Sequence, residues 1–428
     1  MNQTIKFTRK ISGTVRVPGD KSISHRALMF AAMATGDSEL TGLATGKDVA
    51  STAACMRELG AGIDELGTGV VKVRGVGGGQ FIRPEVALDA GNSGTTIRLL
   101  SGILAGQDFA TTISGDKYLC RRPMKRVIDP LEAMGARIDS ESGLLPLTIH
   151  GGGLRGMEYA LPVPSAQVKS CVLLAGLFAE GDTTVVESMP SRDHTERLLP
   201  VFGVNVECDN YRCTVSGGAT PQAARVTIPG DPSSAAFFAA AAAIVPGGEV
   251  LLENICLNPT RAAFFDVLEE MGAKVERLNV RSGAGEPVAD VRVAHGELKA
   301  CSVGGSVIPS LVDEVPVLAV LAALAEGTSR ISDAGELRVK ETDRLKAVAD
   351  NLGRMGVSVR EMPDGLVIEG PAQLAGADIN SYGDHRIAMA FSVAGLVARG
   401  ETVINDASCA DISFPGFYSE LNRLTGSA

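Results

Sequence analysis

A segment with the pattern of an apolar helix recurs six times along this chain, at intervals of about 70 residues. Each segment opens on a Ser, Asn or Asp, which are residue types that cap helix N-termini. Each then stays apolar on nearly every face, as in SHRALMFAAMATG or SSAAFFAAAAAIVPG, which is typical of a helix buried on all sides. We therefore expect six buried helices. They are predicted to start at Ser24, Asn92, Ser165, Ser233, Asp313 and Asp384.

A second motif runs in phase with the first and marks the exit from a helix into a strand. It places a Gly at the helix end, followed within three residues by a β-branched residue. The copies are LGAGI from Leu59, MGARI from Met134, FGVNV from Phe202, MGAKV from Met271 and MGVSV from Met355. Together the two motifs predict an α/β fold made of six copies of one repeat.

Six repeats divide naturally into two similar domains of three. Two turn-forming stretches, Pro18–Gly19–Asp20 and Pro229–Gly230–Asp231–Pro232, are the expected crossovers. They predict a discontinuous domain 1 of residues 1–18 and 232–428, a domain 2 of residues 19–231, and an active site in the cleft between them. The sixth repeat lacks its closing strand, and we expect the segment Lys6–Val17 to supply it. A solenoid of stacked repeats is the alternative, although it has no need of wholly apolar helices.

Charged and polar side chains gather just before the predicted helices or within their first turns. A buried helix presents free N–H groups and about half a positive charge at its N-terminus, where phosphate or carboxylate binds. We therefore expect an anion site to which cations add full charge, although a surface ion pair is the alternative for any single one. These cations are Lys21, Arg26, Arg122, Lys340, Arg344 and Arg386.

Two carboxylates, Asp313 and Glu341, occupy the same kind of position as the cations. A carboxylate beside an anion site repels the ligand, so its presence indicates proton handling. The alternatives are helix capping by Asp313 and ion pairing of Glu341 with Lys340 or Arg344.

Composition excludes several classes of function. The net charge of −10 argues against a broad nucleic-acid-binding surface. The N-terminus has no apolar stretch of signal-peptide length and no run approaches the roughly 20 apolar residues of a membrane helix, so we expect a cytoplasmic protein without a membrane partner. The eight Cys are dispersed without a CxxC pair, which predicts buried free thiols rather than disulfides or zinc ligands.

Seven runs of the chain are distinctive when taken together: PGDKSISHRAL from Pro18, DAGNSGTTIRLL from Asp89, CRRPM from Cys120, PSAQVKSCVLLAGL from Pro164, SRDHTE from Ser191, RVKETDRL from Arg338 and GDHRIAM from Gly383. Through these runs the chain resembles, between Val17 and Pro415, the 5-enolpyruvylshikimate-3-phosphate (EPSP) synthase family. The runs SAQVKS and SRDHTE are similar to its class II bacterial subgroup. The resemblance implies two similar domains, each of three βαβαββ units around buried parallel helices (an inside-out α/β barrel). It also implies transfer of the enolpyruvyl group of phosphoenolpyruvate to the 5-hydroxyl of shikimate 3-phosphate, without metal or cofactor, in the shikimate pathway to chorismate and aromatic amino acids.

The same resemblance implies roles for individual residues. Asp313, Glu341 and Lys21 match the family's catalytic acid–base groups. The shikimate 3-phosphate site is matched by Lys21, Ser22, Arg26, Ser165, Ala166, Gln167, Arg192, Asp313 and Lys340. The phosphoenolpyruvate site is matched by Lys21, Gly94, Arg122, Gln167, Arg344 and Arg386.

Two positions bear on how far these roles extend. Many family members carry a Lys before a Ser-Phe-Pro or Thr-Phe-Pro near the C-terminus, but here Ile412 precedes Ser413–Phe414–Pro415, so one phosphoenolpyruvate contact has no counterpart. Gly94 stands where some herbicide-tolerant members carry Ala, and the response to glyphosate, for which the family is a target, stays open. We expect a monomer whose partners are its two small substrates.

Two other functions compete with this interpretation. UDP-N-acetylglucosamine enolpyruvyl transferases share the chemistry, but carry a reactive Cys on a mobile loop before the corresponding Arg, whereas Cys120 lies two residues before Arg122. A non-catalytic anion-binding protein would need the cations but not Asp313.

Overall fold

The structure is a computed structural model and describes residues 1–67 and 69–426. It divides into two compact units. Among the described residues, unit 1 comprises Met1–Pro18, Gly230–Arg281 and residues 287–426, and unit 2 comprises Gly19–Pro229 with the short segment Ser282–Glu286. Gly230 and Asp231 fall in unit 1, two residues before the boundary expected from sequence, because Gly230 bridges Ile255 and Asp231 caps a helix of that unit.

The helices alternate between long buried ones and shorter ones that lie against the strands. In chain order they are α1 (Lys21–Met33), α2 (Lys47–Glu58), α3 (Gly94–Ala105), α4 (Lys125–Ala133), α5 (Ala166–Gly176), α6 (His194–Leu198), α7 (Pro232–Ile244), α8 (Ala263–Glu270), α9 (Ile308–Leu311), α10 (Val315–Leu324), α11 (Arg344–Arg354), α12 (His385–Gly395) and α13 (Phe417–Thr425). Short 3-10 helices span Leu119–Arg121, Leu199–Phe202, Gly305–Val307, Gly335–Val339 and Ala407–Ile412.

The strands are short and lie between these helices. In chain order they are β1 (Gln3–Ile5), β2 (Ser12–Val15), β3 (Asp37–Thr41), β4 (Gly62–Ile63), β5 (Val70–Arg74), β6 (Leu88–Asp89), β7 (Ala110–Ser114), β8 (Arg137–Glu141), β9 (Leu144–His150), β10 (Glu158–Ala160), β11 (Asp182–Val186), β12 (Glu207–Asp209), β13 (Arg212–Ser216), β14 (Arg225–Thr227), β15 (Glu249–Cys256), β16 (Lys274–Gly283), β17 (Glu286–Ala294), β18 (Ser302–Val303), β19 (Gly327–Ile331), β20 (Ser358–Met362), β21 (Gly365–Gly370), β22 (Asp378–Asn380) and β23 (Thr402–Asn405).

One sheet pattern is repeated throughout. In the sheet β6-β7-β9-β8, the parallel pair β6–β7 is joined through the buried helix α3, and β9 and β8 continue the sheet as antiparallel neighbours. Unit 2 adds β14-β3-β5-β4 and β10-β11-β13-β12. Unit 1 holds β2-β15-β17-β16, β18-β19-β21-β20 and the shorter β22-β23-β1. Within residues 1–67 and 69–426 the strands therefore form six sheets, three in each unit, as the six repeats predict.

The ends of each unit complete its first and last sheets. In unit 2, β14 pairs in parallel with β3 and closes the first repeat. In unit 1, β1 pairs antiparallel with β23, so the closing strand of the sixth repeat is Gln3–Ile5 and the expected Lys6–Val17 was wrong for that role. The segment after it forms β2, which pairs in parallel with β15 and buries Val15 in the fourth repeat.

The six long helices are buried, as their composition predicts. Every residue of α7 and α12 is buried, and so is nearly every residue of α1, α3, α5 and α10. Such helices bury apolar side chains in all directions, so each sheet of a unit packs against them from outside.

Only two of the six predicted helix caps were right, Ser165 and Asp384. The caps of α1, α3, α7 and α10 are Asp20, Ser93, Asp231 and Glu314, instead of Ser24, Asn92, Ser233 and Asp313. Asp20 and Asp231 end Pro-Gly-Asp turns and also accept the backbone N–H groups of Ile23 and Ser233, so one residue serves both purposes.

The helix-exit motif predicts strand starts correctly in four of its five copies. After α2, α4, α8 and α11 a strand begins within four residues of the helix end. In the third copy, Gly203 ends the 3-10 helix with a φ of 76°, but β12 begins only at Glu207.

Two cysteines contradict the prediction of eight free thiols. Cys208 and Cys213 form a disulfide, because they face each other directly across the antiparallel pair β12–β13 with 4.2 Å between their Cα atoms. The turn between these strands, Asn210–Tyr211, has positive φ at both residues, which matches a tight hairpin turn. The other six thiols are free, with Cys120 and Cys301 only half-buried.

Across the described residues, no single helix has both the length and the apolar composition needed to cross a membrane. One sharply bent pair, 305–311 with 315–324, meets that test by length and composition when the two are taken together.

Candidate active site

The first turns of α1, α3 and α5 lie together in unit 2. Gln167 of α5 donates through Nε2 to Thr95 Oγ1 of α3 at 3.0 Å. Arg26 of α1 donates through Nη2 to Ser170 Oγ of α5 at 2.7 Å. Three capped helix starts with their positive dipole ends are thus brought close to one another.

Arg26 is buried and its guanidinium is held by neutral oxygens. Nε donates to Thr195 Oγ1 at 2.7 Å, Nη1 to the Ser22 carbonyl at 2.9 Å, and Nη2 to Ser170. Removal from water lowers the pKa of Arg26 to about 10, although the carboxylate of Glu196 opposes the fall. The side chain remains a cation at neutral pH, and its orientation is fixed in advance of any ligand.

Lys21 is the first residue of α1 and stands beside an acid. Its Nζ lies 3.2 Å from Asp48 Oδ2, with about a quarter of the Lys21 side chain exposed. Ser22 follows in the same turn, and the backbone N–H groups there belong to a helix start capped by Asp20. Lys21 therefore combines a positive charge, a helix N-terminus and a carboxylate partner.

Gly94, Arg122 and Gln167 are drawn together around Arg98. Arg98 donates to the side-chain oxygen of Gln167. A Cβ on Gly94, the first residue of α3, would lie 3.4 Å from Nη1 of both Arg98 and Arg122. Arg122 also donates to Asn92 Oδ1 at 3.1 Å. The absence of a side chain at Gly94 leaves space next to two guanidinium groups at a helix start.

The remaining residues predicted for unit 2 lie at the starts of α5 and α6. Ser165 caps α5 by accepting the N–H of Val168 at 3.5 Å, and Ala166 is the first residue of that helix. Arg192 lies two residues before α6 and is close enough to Arg26 for its charge to lower the pKa of that side chain.

In unit 1, Arg344 binds three carboxylates. Its Nε lies 2.8 Å from Asp384 Oδ2, its Nη2 2.7 Å from Glu341 Oε2, and its Nη1 3.3 Å from Asp313 Oδ1. The side chain is almost fully buried, which favours the neutral form, but the three carboxylates prevail and raise the pKa of Arg344. Glu341 is therefore ion-paired with Arg344, one of the two partners considered from sequence.

Arg386, at the second position of α12, approaches Asp313 from another direction. Its Nη2 lies 3.5 Å from Asp313 Oδ2, and its Nη1 donates to the Asp313 carbonyl at 3.2 Å. Asp313 does not cap a helix, because α10 begins after Glu314. Its carboxylate instead lies between two arginines, where its orientation is fixed without a capping role.

Lys340 ends the 3-10 helix that precedes α11 and lies near the same carboxylates. Its side chain is 28% exposed, and its Nζ is 4.0 Å from Glu336 Oε1. Desolvation lowers the pKa of Lys340, and the charges of Asp313 and Glu336 oppose the fall. The structure thus brings together in unit 1 the five residues predicted there: Asp313, Lys340, Glu341, Arg344 and Arg386.

Sequence analysis missed several polar residues that support these sites. Arg98 lies inside an apolar helix and holds Gln167. Arg261 is buried in unit 1, with Nη1 2.9 Å from Glu314 and Nη2 3.0 Å from Asp231, so it fixes the residue next to Asp313. For Arg98 the available signal was a charge within an otherwise apolar stretch, because a buried charge requires a partner.

Cys120 lies in the short 3-10 helix before Arg122 rather than on a long loop. Its thiol is half-buried and donates to the Gly115 carbonyl at 3.3 Å. Among the residues that the structure describes, no group of three or more His, Cys, Asp or Glu side chains is arranged to hold a metal ion. Independence from cofactors stays a prediction.

Comparison with known proteins shows to which family the chain belongs. The model of the EPSP synthase (3-phosphoshikimate 1-carboxyvinyltransferase) family matches residues 5–421. The chain belongs to the EPSP synthase family. The match spans both units and all six repeats, so the family predicted from sequence is confirmed.

Individual EPSP synthase relatives match the chain over almost its whole length. A 3-phosphoshikimate 1-carboxyvinyltransferase of Synechocystis sp. is 52% identical over 419 residues, covering 97% of this chain and 94% of the relative. One of Gloeobacter violaceus is 52% identical over 429 residues, covering 99% of each. The solved EPSP synthase of Acinetobacter baumannii superposes with a TM-score of 0.90 at 42% identity, covering 99% of this chain and 98% of that one. The predicted fold class of two similar α/β domains is confirmed.

Proposed function

We propose that this chain is a 3-phosphoshikimate 1-carboxyvinyltransferase, which transfers the enolpyruvyl group of phosphoenolpyruvate to the 5-hydroxyl of shikimate 3-phosphate and releases phosphate. One observation carries the proposal: two carboxylates, Asp313 and Glu341, are held by the arginines of an anion-binding cluster. A protein that only binds anions gains nothing from carboxylates in that position, whereas a proton-transferring enzyme requires them.

The substrates are proposed to bind at the clustered helix starts. Shikimate 3-phosphate is assigned to Lys21, Ser22, Arg26, Ser165, Ala166, Gln167 and Arg192 of unit 2, and to Asp313 and Lys340 of unit 1. Phosphoenolpyruvate is assigned to Lys21, Gly94, Arg122 and Gln167 of unit 2, and to Arg344 and Arg386 of unit 1. The proposal thus requires residues of both units to serve one reaction. Free N–H groups, helix dipoles and guanidinium groups are the donors that phosphate and carboxylate prefer.

Arg344 and Arg386 already have carboxylate partners in unit 1. A guanidinium has five N–H donors, so each can keep a protein carboxylate and still donate to an incoming anion. The paired carboxylates orient these arginines, and the arginines in turn orient Asp313 and Glu341. This mutual orientation places charge where the reacting groups need it and lowers the cost of reorganisation.

The reaction proceeds by addition and elimination, with proton transfers that balance. In the addition, the 5-hydroxyl oxygen bonds to C2 of phosphoenolpyruvate, the hydroxyl loses its proton, and the methylene carbon gains one to become a methyl group. In the elimination, the C2–O bond to phosphate breaks and the methyl group gives up a proton. Asp313 is assigned to the hydroxyl proton, and Glu341 with Lys21 to the proton at the methylene carbon. Alignment of the reactants and stabilisation of charge by the cations supply most of the acceleration.

The remaining expectations belong to this proposal as well. The partners are the two small substrates, with no nucleic acid or membrane, and the enzyme works as a monomer in the cytoplasm. Its product would enter the route to chorismate and the aromatic amino acids.

Acceptor choice tests the proposed function. Purified protein is incubated with phosphoenolpyruvate and either shikimate 3-phosphate or UDP-N-acetylglucosamine, in the presence of a chelator, and phosphate is measured. We expect release with shikimate 3-phosphate only. Release with the UDP-sugar alone would assign the chain to the related transferases, and tight binding without release would indicate a non-catalytic protein.

A further inference from the structure

A buried charge cluster lies behind the helix starts of unit 2 and takes no direct part in the proposed chemistry. Lys169, in the first half of α5, has its Nζ 2.5 Å from Glu187 Oε2 and 2.7 Å from Glu196 Oε1. The same ammonium lies 3.4 Å from the Ser191 carbonyl, and Ser191 Oγ donates to Glu187. All four side chains are at least nine-tenths buried. We call these residues, Lys169, Glu187, Ser191 and Glu196, the Lys169 cluster.

Such a cluster is costly to bury and calls for an explanation. Each charged group loses its hydration, and replacing a buried ion pair by apolar residues is often neutral or stabilising. Two carboxylates and one ammonium would leave the cluster with a net negative charge. Arg26 lies nearby, since the carboxylate of Glu196 acts to raise the pKa of Arg26. Arg26 therefore completes the charge balance of the Lys169 cluster.

The Lys169 cluster also holds the segment that carries Arg192. Ser191 immediately precedes Arg192, and both its carbonyl and its hydroxyl are bound within the cluster. Thr195, next to Glu196, accepts from Arg26 Nε, and its Oγ1 lies 2.7 Å from Ser170 Oγ. Of the two arginines assigned to shikimate 3-phosphate in unit 2, Arg192 is thus linked to the Lys169 cluster through Ser191, and Arg26 is linked to it through Thr195.

We propose that Lys169 is a positioning residue for shikimate 3-phosphate: through Glu187, Ser191 and Glu196 it fixes residues 191–195, so that Arg192 and Arg26 are oriented before the substrate binds. The inference rests on the proposed function and extends it. Fixing binding groups in advance lowers the entropy lost on binding, so it increases affinity for the one substrate that they contact.

Two variants loosen the Lys169 cluster without removing a residue assigned to substrate. Glu187→Gln keeps the shape of the side chain and leaves Lys169 paired with Glu196. Ser191→Ala removes one hydroxyl and is the milder change. We expect the KM and the Kd for shikimate 3-phosphate to rise about tenfold in Glu187→Gln and about threefold in Ser191→Ala, with kcat and the KM for phosphoenolpyruvate changed less than about twofold.

Val185→Ala is the matched control, because Val185 is an apolar residue of β11 two residues before Glu187 and is fully buried. It lowers stability without touching a charge, so it should leave both KM values unchanged. Thermal unfolding of all variants shows how far each is destabilised. Three results would overturn the inference. They are an equal rise in the KM for both substrates, a rise in the KM for shikimate 3-phosphate in Val185→Ala as large as in the cluster variants, or an unchanged Kd for shikimate 3-phosphate in both cluster variants.

Calorimetric titration with shikimate 3-phosphate alone separates this inference from the proposed function. The titration measures affinity without turnover. A wild-type protein that binds shikimate 3-phosphate but releases no phosphate would refute the proposed function, and the variants would still test the role of Lys169. A wild-type protein that fails to bind it would refute both.

Discussion

Arg26 and Arg344 are both buried guanidinium groups, yet their surroundings give them different properties. Arg344 faces Asp384, Glu341 and Asp313, and these carboxylates raise its pKa. Arg26 donates to the neutral oxygens of Thr195, Ser22 and Ser170, and burial lowers its pKa to about 10. Direct contacts to three carboxylates orient Arg344, whereas hydrogen bonds to neutral oxygens orient Arg26 beside the charge of Glu196. The first arrangement suits the orientation of catalytic carboxylates and the second suits anion binding.

Asp313→Asn tests the catalytic role at the scale of one residue. The amide keeps the size of the side chain but has no basic carboxylate to accept the hydroxyl proton. We expect shikimate 3-phosphate affinity to change little and kcat to fall by at least about 100-fold. Steady-state kinetics and calorimetric titration measure the two effects. Asp266→Asn, a change at an exposed carboxylate of the same unit that pairs with Arg277, is the control and should retain wild-type kcat. Retained turnover in Asp313→Asn would contradict the assignment.

His25 predicts a specific dependence of stability on pH. It is fully buried in α1, with Nδ1 2.7 Å from Thr52 Oγ1, and burial lowers its pKa from 6.5 to about 3. A depressed pKa means that the unfolded chain binds the proton first, so its contribution is complete above pH 6.5 and is lost as the pH falls towards 3. The loss is about 1.4 kcal/mol per pH unit in that window.

His25→Asn should remove this part of the acid sensitivity while keeping a polar group near Thr52. Between about pH 8 and pH 5, wild type should lose about 2 kcal/mol more unfolding free energy than the variant. Urea unfolding at both pH values measures the difference, and the pH 8 data serve as the reference, because His25 is neutral there in both states. If unfolding free energy falls equally with pH in both proteins, the folded protein binds a proton at His25 as readily as the unfolded chain does, which contradicts the prediction.

Residues at helix starts could be predicted from sequence, and buried partners could not. Capping residues and cations stand next to each other in the chain, so the assignment of Arg386 and Asp313 to one region required only local pattern. Lys169 finds its partners 18 and 27 residues away, and Arg261 finds Glu314 after 53. Only the fold brings those pairs together. A charge within the apolar run AQVKSCVLL indicates that partners exist but not which residues they are.

At the scale of elements, the packing of α3 on α5 determines how close their first turns lie. Gly102 allows this approach, because a Cβ there would lie 2.2 Å from the Cys171 carbonyl oxygen. Gly94 and Gln167 stand on these two helices, so a change of spacing at Gly102 should be transmitted to the phosphoenolpyruvate residues.

Gly102→Ala should therefore cost both stability and affinity. We expect a loss of about 1–3 kcal/mol from overpacking, and a severalfold rise in the KM for phosphoenolpyruvate. Gly353→Ala is the matched control: it also lies within a helix, α11, but a Cβ there meets nothing within 4 Å. That control should gain about 0.5–1 kcal/mol from helix propensity. Unfolding free energies and KM values for phosphoenolpyruvate, measured for both variants, check these expectations. A Gly102→Ala protein as stable as wild type would show that the helices separate at no cost.

The six apolar helices were predictable because burial on all sides leaves a clear pattern, whereas their exact caps were not. Pro-Gly-Asp is a turn signal as well as a cap signal, and the structure uses Asp20 and Asp231 for both. In α10, Pro316 stands in the first turn and the helix begins at Val315, so Asp313 is left outside it. That displacement frees Asp313 from a capping role, and sequence pattern alone left both roles open.

At the scale of the whole molecule, a strand from the start of the chain completes unit 1. β1 supplies the third strand of the last sheet, and Ile5 is buried there between Gly395 and Thr402. The repeat pattern indicated that a strand was missing, but it could not fix which of the first 17 residues supplies it. Short strands with few apolar residues carry little periodic signal, and pairing over 400 residues is a property of the fold alone.

Ile5→Ala tests this closure. Loss of a buried side chain at the joint between the two ends of the chain should cost about 2–4 kcal/mol of unfolding free energy. Val280→Ala, at a position of the same unit that is 69% exposed, should change stability by less than about 0.5 kcal/mol. Denaturant unfolding compares the two variants. A negligible effect of Ile5→Ala would mean that β1 does not hold the sixth repeat closed.

The central claim is that this chain transfers the enolpyruvyl group of phosphoenolpyruvate to shikimate 3-phosphate. Phosphorus NMR of a mixture of protein, phosphoenolpyruvate, shikimate 3-phosphate and a chelator tests it most directly, because all reactants and products carry phosphorus. We predict that the phosphoenolpyruvate signal decays while inorganic phosphate and a new sugar-phosphate signal grow in equal amounts. Unchanged spectra, or phosphate formed without the second product, would contradict the account.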